Sequence, residues 1–256
     1  MAQARRGSSG ARDICLRETG ICMLEPELRR AIIKHARSMN ELGINQGLSG
    51  NVSARIGDAM LITPSGVAYD ALTPKMIARM RLDDDGAWTG PLNPSSEWRF
   101  HRDILNARPD AGAIIHTHAS YCAAFSMLRE PLRATHYMIA ALGGPDVRCV
   151  DYAPYGSQEL SRLAVEGLRE RFGVLLGSHG MIVIGRDLDE AMWRAVELEA
   201  LAKQTWLARA IGSPVVLDDA EIMRTVERFK GYGPNAGRDG AAEPALKRKP
   251  LAKNSG

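Results

Sequence analysis

The stretch Gly173-Val-Leu-Leu-Gly-Ser-His-Gly-Met-Ile-Val-Ile-Gly185 decides the fold class. Two short apolar runs flank a Gly-Ser-His-Gly turn. Runs of this length, rich in valine and isoleucine and bounded by glycine, read as buried strands. Asp187-Leu-Asp-Glu190 follows at once as a loose capping box, opening a helix that runs to about Ala210. Buried strands leading into a long helix predict an α/β protein.

The pattern continues outward in both directions. From Pro26 to Leu42, apolar positions recur in three- and four-residue steps, with Pro26 in the first turn and Gly43 at the stop. "GNVSARIGDAMLITPSG", Gly50 to Gly66, reads as two strands joined at Gly57-Asp58. A short turn or helix begins at Thr73, and a strand lies within Met76–Leu82. "NPSSEWRFHRDILNARPD" places a serine pair ahead of a helix that ends near Pro109. Next come a strand over Ala113–His118 and helices over Tyr121–Leu128, Ser157–Arg171 and Asp218–Phe229. Strands and helices interleave without repeats, and no linker interrupts residues 24–234. One α/β domain over 24–234 is expected, with flexible arms at 1–23 and 235–256.

The chain has 256 residues, of which 45% are hydrophobic, enough for a full core. Aromatics are only 5%, so leucine, isoleucine, valine, alanine and methionine must do most of the packing. A net charge of +3 from 33 basic and 30 acidic residues is too balanced for a nucleic-acid partner. The excess belongs to the ends: the tail carries Arg238, Lys247, Arg248, Lys249 and Lys253 against Asp239 and Glu243. Cys15, Cys22, Cys122 and Cys149 lie far apart without C-x-x-C spacing, as expected of reduced thiols in a cytoplasm. No apolar segment approaches the roughly 18 residues of a membrane span. "MAQARRGSSGARD" lacks the apolar core of a secretory signal. A cytoplasmic protein with no membrane partner is expected.

The chemistry-bearing feature is Ala113-Ile-Ile-His116-Thr-His118-Ala119. Alternate residues of a strand share a face, so the two imidazoles point the same way, about 7 Å apart. That suits two ligands of one metal, and a catalytic zinc takes three protein ligands and leaves a position open. Of the other four histidines, His35 and His101 fall in helical patterns, where core or surface roles are expected, and His136 precedes a tyrosine. His179 lies in the turn between strands, where glycines let the backbone turn tightly. Spacing alone leaves the pair between a metal site and two unrelated side chains. Nitrogen donors without cysteine leave zinc, cobalt, iron and manganese all open.

Three small-residue turns recur: Gly50-Asn51-Val52-Ser53, Thr63-Pro64-Ser65-Gly66 and Pro94-Ser95-Ser96-Glu97. Each offers backbone N–H groups or hydroxyls, and the last sits at a helix N-terminus, where anions bind. The same residue types also serve as ordinary caps and turns. Glu97 either compensates the helix dipole or, beside a divalent metal, acts as ligand or general base.

"GNVS", "LITPSG", "PSSEWRFH", "HTHA", "HYMIAA", "SHG" and "KGYG" stand in an order that resembles the class II aldolase/adducin family, and within it the L-fuculose-1-phosphate aldolase branch. The resemblance covers roughly residues 24–234. It implies three α/β/α layers around a largely antiparallel sheet, and a homotetramer with active sites shared between neighbouring subunits. By position, His116, His118 and His179 would hold zinc, with Glu97 as a displaceable fourth ligand and proton carrier. Gly50, Asn51, Ser65, Gly66, Ser95 and Ser96 would bind the substrate phosphate. Tyr137 would reach across from a neighbouring subunit as proton donor, and Tyr232 would lie near the active site. The implied reaction is reversible cleavage of a ketose 1-phosphate to dihydroxyacetone phosphate and a small aldehyde such as lactaldehyde. The metal, as Lewis acid, makes a Schiff-base lysine unnecessary.

Three departures stand out. Ser65 replaces threonine, Tyr155 replaces phenylalanine on the aldehyde side, and Gly-Ser-His-Gly replaces a histidine pair before glycine. Relatives acting on 5-deoxyribulose or methylthioribulose 1-phosphate would keep nearly every motif. A dehydratase would share the metal and the acid. An epimerase should carry aspartate at position 97, and a non-enzymatic adducin-like module should lack the ligands.

Overall fold

A computed structural model describes residues 24–230 of the chain. Nine strands form one sheet: β1 (Asn51–Ile56), β2 (Ala59–Ile62), β3 (Ala78–Arg81), β4 (Trp88–Thr89), β5 (Ala113–Thr117), β6 (Leu132–Arg133), β7 (Asp146–Val150), β8 (Gly173–Leu176) and β9 (Gly180–Gly185). Their order is β4-β3-β2-β1-β5-β9-β8-β7-β6. Neighbours run antiparallel except β7 and β8, which are parallel, so the sheet is mixed although largely antiparallel as expected.

Helices cover both faces, giving the three layers. On one side lie α1 (Glu25–Glu41), α3 (Ser120–Leu128), α5 (Leu188–Ile211) and α6 (Asp219–Phe229); on the other lie α2 (Trp98–Ala107) and α4 (Gln158–Gly167). The division follows from strand alternation. In β9, Met181 and Val183 join the α1/α3/α5 core, while Ile182 and Ile184 join the α2/α4 core. In β5, Ile115 and Ile114 divide in the same way. Because both faces are covered, these strands are uniformly apolar rather than alternating.

Local signals account for most elements. Gly57 (φ +59°) turns the β1–β2 hairpin, and Asp187 caps α5 by accepting from the Glu190 N–H at 2.8 Å. The helix anticipated from Ser157 to Arg171 stops at Gly167, where an added Cβ would lie 2.4 Å from Val174 and 2.8 Å from Val150. The glycine lets α4 pack closely on the sheet. Strands β4, β6 and β7 and the 3-10 segments Tyr69–Ala71 and Tyr137–Leu142 were not anticipated. Among the described residues no helix is long and apolar enough to cross a membrane. Cys122 and Cys149 are free thiols. The two arms and Tyr232 lie outside the described residues.

Candidate metal centre

Sheet register gathers the candidate residues at one edge. Asn51, at the start of β1, pairs with His116 on β5, and His116 faces Ile182 on β9. The turn leading into β9 therefore carries His179 over the same edge. A bridge between Pro64 and Pro94 brings in the segment ahead of α2, and with it Ser95, Ser96 and Glu97. His118 lies just beyond β5 rather than within the strand. The helix that follows, α3, is tied at its start: Glu199 of α5 accepts the N–H groups of Tyr121 and Cys122, each at 2.9 Å, satisfying donors in its first turn.

The Gly-Ser-His-Gly turn works differently from expectation. Its left-handed residue is Ser178 (φ +54°), not a glycine. Glycine is needed for close approach: a Cβ on Gly180 would sit 2.4 Å from the Thr117 carbonyl oxygen, and one on Gly177 2.7 Å from that of Val150. The turn is held by the Ser178 N–H donating to the Ser126 carbonyl at 3.0 Å, and by Arg129 donating to the Ser178 hydroxyl at 3.1 Å.

The three imidazoles meet edge to face, with centroids 4.8–5.0 Å apart and planes 75–77° to one another. Their ligating atoms all lie within 4.8 Å of one another. His116 Nε2 and His118 Nε2 are 3.2 Å apart, near the roughly 3.3 Å edge of a tetrahedron with metal–nitrogen bonds of about 2.0–2.1 Å. His116 Nδ1 lies 2.9 Å from the Met181 carbonyl, which can only accept a proton. In the neutral ring this places the hydrogen on Nδ1 and leaves the Nε2 lone pair facing the site, the arrangement of a metal-bound histidine.

Glu97 closes the cluster. It sits at the N-cap position of α2 but makes no side-chain capping bond. Its Oε2 is 3.2 Å from His116 Nε2, and Oε1 is 3.3 Å from His179 Nε2. Oε1 is buried and has no hydrogen-bond partner. An orphaned carboxylate oxygen facing imidazole lone pairs is costly unless a cation lies between them. The residues present therefore fit a divalent metal.

Electrostatics agree. Burial raises the Glu97 carboxyl, but positive charge on His116 and His179, together with the Asn51 amide, outweighs it and lowers the group to about 2; beside neutral rings, a bound cation would supply that charge. Burial, reinforced by His116, depresses His118 and His179 to about 4, keeping both neutral and able to ligate. Burial takes His101 to about 3. Unfolded, imidazoles titrate near 6.5, so between there and about 4 the folded protein binds fewer protons than the unfolded chain. The stability of chelator-treated protein is expected to be full above pH 6.5 and to fall as pH drops toward 4. Thermal denaturation across that range checks this, and a flat melting temperature would contradict it.

A cavity of about 420 Å³ opens over the cluster. Gly50, Asn51, Ser65, Gly66, Ser95 and Ser96 all line it, together with Glu97, His118 and His179. The Ser96 N–H donates to the Ser65 hydroxyl at 2.9 Å, which ties two of the small-residue turns together. Tyr155 also lines the cavity and is 73% exposed. Tyr152 lines the cavity as well, and nothing in its sequence setting marked it out. Tyr137 is exposed and does not line this cavity. His101 is fully buried, within the core-or-surface expectation, and is hydrogen-bonded to Asn51 and Ser53.

A profile of the class II aldolase and adducin N-terminal domain matches residues 30–206. The chain belongs to the class II aldolase and adducin family. It is 47% identical over 209 residues to the 5-methylthioribulose-1-phosphate/5-deoxyribulose-1-phosphate aldolase of Rhodospirillum rubrum, covering 82% of this chain and 94% of that one. The L-fuculose phosphate aldolase of Escherichia coli K12 is 45% identical over 208 residues, covering 81% and 96%. A solved L-fuculose 1-phosphate aldolase superposes with a TM-score of 0.77 at 37% identity, covering 79% of this chain and 96% of that one. The chain is an aldehyde-lyase of this metal-dependent class.

Proposed function

We propose that this aldolase cleaves a ketose 1-phosphate reversibly to dihydroxyacetone phosphate and a small aldehyde. The observation that carries this reading is a single cavity. It joins a three-histidine cluster and an ionised buried carboxylate to a serine- and glycine-lined pocket at a helix N-terminus.

Each part has a role. Gly50, Asn51, Ser65, Gly66, Ser95 and Ser96 hold the phosphate, giving remote binding energy that orients the scissile bond. His116, His118 and His179 hold a divalent cation, zinc first, with cobalt, manganese or iron as ions the same donors accept. Bound there, the cation supplies Lewis-acid stabilisation of the negative charge that cleavage leaves on the ketose half. The hydroxyl proton set free as the aldehyde forms balances the one that Glu97, protonated for this step, delivers to the carbon that has lost its partner. In the synthetic direction Glu97 removes that proton. Tyr137 of a neighbouring copy handles the proton on the aldehyde oxygen. That role suits an exposed tyrosine outside its own cavity, in a homotetramer whose sites are shared.

The aldehyde faces Tyr152 and Tyr155, where the two activities named among the relatives must differ. A substrate panel decides between them: L-fuculose, 5-deoxyribulose and methylthioribulose 1-phosphates, with products identified. Dihydroxyacetone phosphate plus an aldehyde is expected from at least one. Tyr137→Phe should lower turnover about 10²-fold or more on the same substrate, the range for loss of a proton donor. A 4-epimer or a dehydrated ketone as the sole product would overturn the reading.

A further inference from the structure

Behind the carboxylate runs a chain of buried polar groups that the reaction above does not use. Ser53 Oγ lies 2.7 Å from His101 Nδ1, His101 Nε2 lies 2.5 Å from Asn51 Oδ1, and Asn51 Nδ2 lies 3.0 Å from Glu97 Oε2. None of the four residues is more than 5% exposed. Two local periodicities assemble them. Glu97 and His101 are one helical turn apart at the start of α2, and Asn51 and Ser53 share a face of β1.

The direction of the chain is fixed by its end. An ionised carboxylate only accepts, so the Asn51 amide must turn its NH₂ toward Glu97 and its oxygen toward His101. That oxygen also only accepts, so His101 must carry its hydrogen on Nε2. Nδ1 is then an acceptor, and the Ser53 hydroxyl donates to it. Each link permits one arrangement.

We propose that His101 is a positioning residue: through Asn51 it makes the two oxygens of Glu97 unequal. Oε2 is anchored by a donor whose orientation His101 enforces. Oε1 is left as the bare oxygen that faces His179 and is free to carry the proton. The same constraint turns the second Asn51 NH₂ hydrogen toward the cavity that Asn51 lines. Without the His101 donor, the Asn51 oxygen loses its partner and the amide, held at Glu97 alone, is free to tilt away from Oε2. This inference rests on Glu97 being the proton carrier, but the relay has its own signature.

Two measurements test it. In metal-free protein with ¹⁵N-labelled histidine, His101 should show a protonated Nε2 and an unprotonated Nδ1. The opposite tautomer, or an imidazolium at neutral pH, overturns the relay whatever the enzyme's activity. Second, His101→Leu and His101→Gln are compared in full-length protein. Leucine fills the space beside Phe100, which stacks on His101 at 4.7 Å, but cannot donate; glutamine can donate to Asn51. The leucine variant should lose about 10- to 100-fold in kcat, the range for losing a hydrogen bond that serves a charged group. The glutamine variant should recover much of that loss.

A residue that only filled space would give the reverse order, because leucine is the better core residue. Leucine equal to or better than glutamine in kcat overturns the proposal. Should the leucine variant fail to fold, the tautomer of His101 in the parent protein decides the matter. If Glu97→Gln kept full turnover while the tautomer stood as stated, the proton-carrier reading would fail and the relay geometry would not.

Discussion

Glu97→Gln is expected to lower kcat by about 10²- to 10⁴-fold, the contribution typical of a positioned general acid–base group, with KM changed far less. Which end of the amide takes which position decides the outcome. Asn51 Nδ2 offers a hydrogen to the position of Oε2, so the glutamine places its carbonyl oxygen there. Its NH₂ then occupies the position of Oε1, the buried oxygen with no partner of its own. An NH₂ group there neither accepts a proton nor ligates a cation. The phosphate pocket is untouched, because Ser65, Ser95 and Ser96 keep their own contacts. Steady-state kinetics with parallel metal analysis checks this. Turnover within about twofold of the parent would remove Glu97 as the proton carrier.

His116→Ala should have the broader effect. His116 is completely buried between Phe100 and the two other imidazoles, with its Nδ1 against the Met181 carbonyl. Truncation removes a ligand from the middle of the cluster and leaves that carbonyl without its donor. The divalent-ion content of the purified variant is expected to fall close to zero, and activity by about 10³-fold or more, with the Lewis acid gone. Some loss of stability accompanies it through the cavity created. Elemental analysis and turnover are read on the same preparation; a variant that retains a full complement of ion would show that the histidines do not hold it.

Legibility in the sequence followed the range of the interactions. The β1–β2 hairpin, the strand pair around His179 and helix α5 each carry a local signal: a turn pair, a short apolar run, a capping aspartate. Strand β7, Asp-Val-Arg-Cys-Val, is mixed in polarity and pairs in parallel with β8 across an intervening helix, so nothing local announces it. The same division runs through the site. His116 and His118 were visible as a pair because two residues along a strand share a face. His179 and Glu97 join them only through the register of β1, β5 and β9, which spacing cannot report. Their assignment came instead from the ordered motifs.

His101 shows the remaining gap. A histidine on the buried side of a helix looks the same in sequence whether it fills the core or orients a neighbour. Only the meeting of α2 with β1 shows that its partners are Asn51 and Ser53. Tyr152 lacked any signal, since its place on the cavity wall depends on where β7 ends.

The central claim is that three histidines and one carboxylate hold a divalent cation that the reaction requires. X-ray absorption together with elemental analysis of the purified protein tests it most directly. One divalent ion per chain is expected, with three nitrogen donors at about 2.0–2.1 Å. A chelator should abolish activity and added ion restore it. Protein stripped of metal that still cleaved its substrate at an undiminished rate would contradict it.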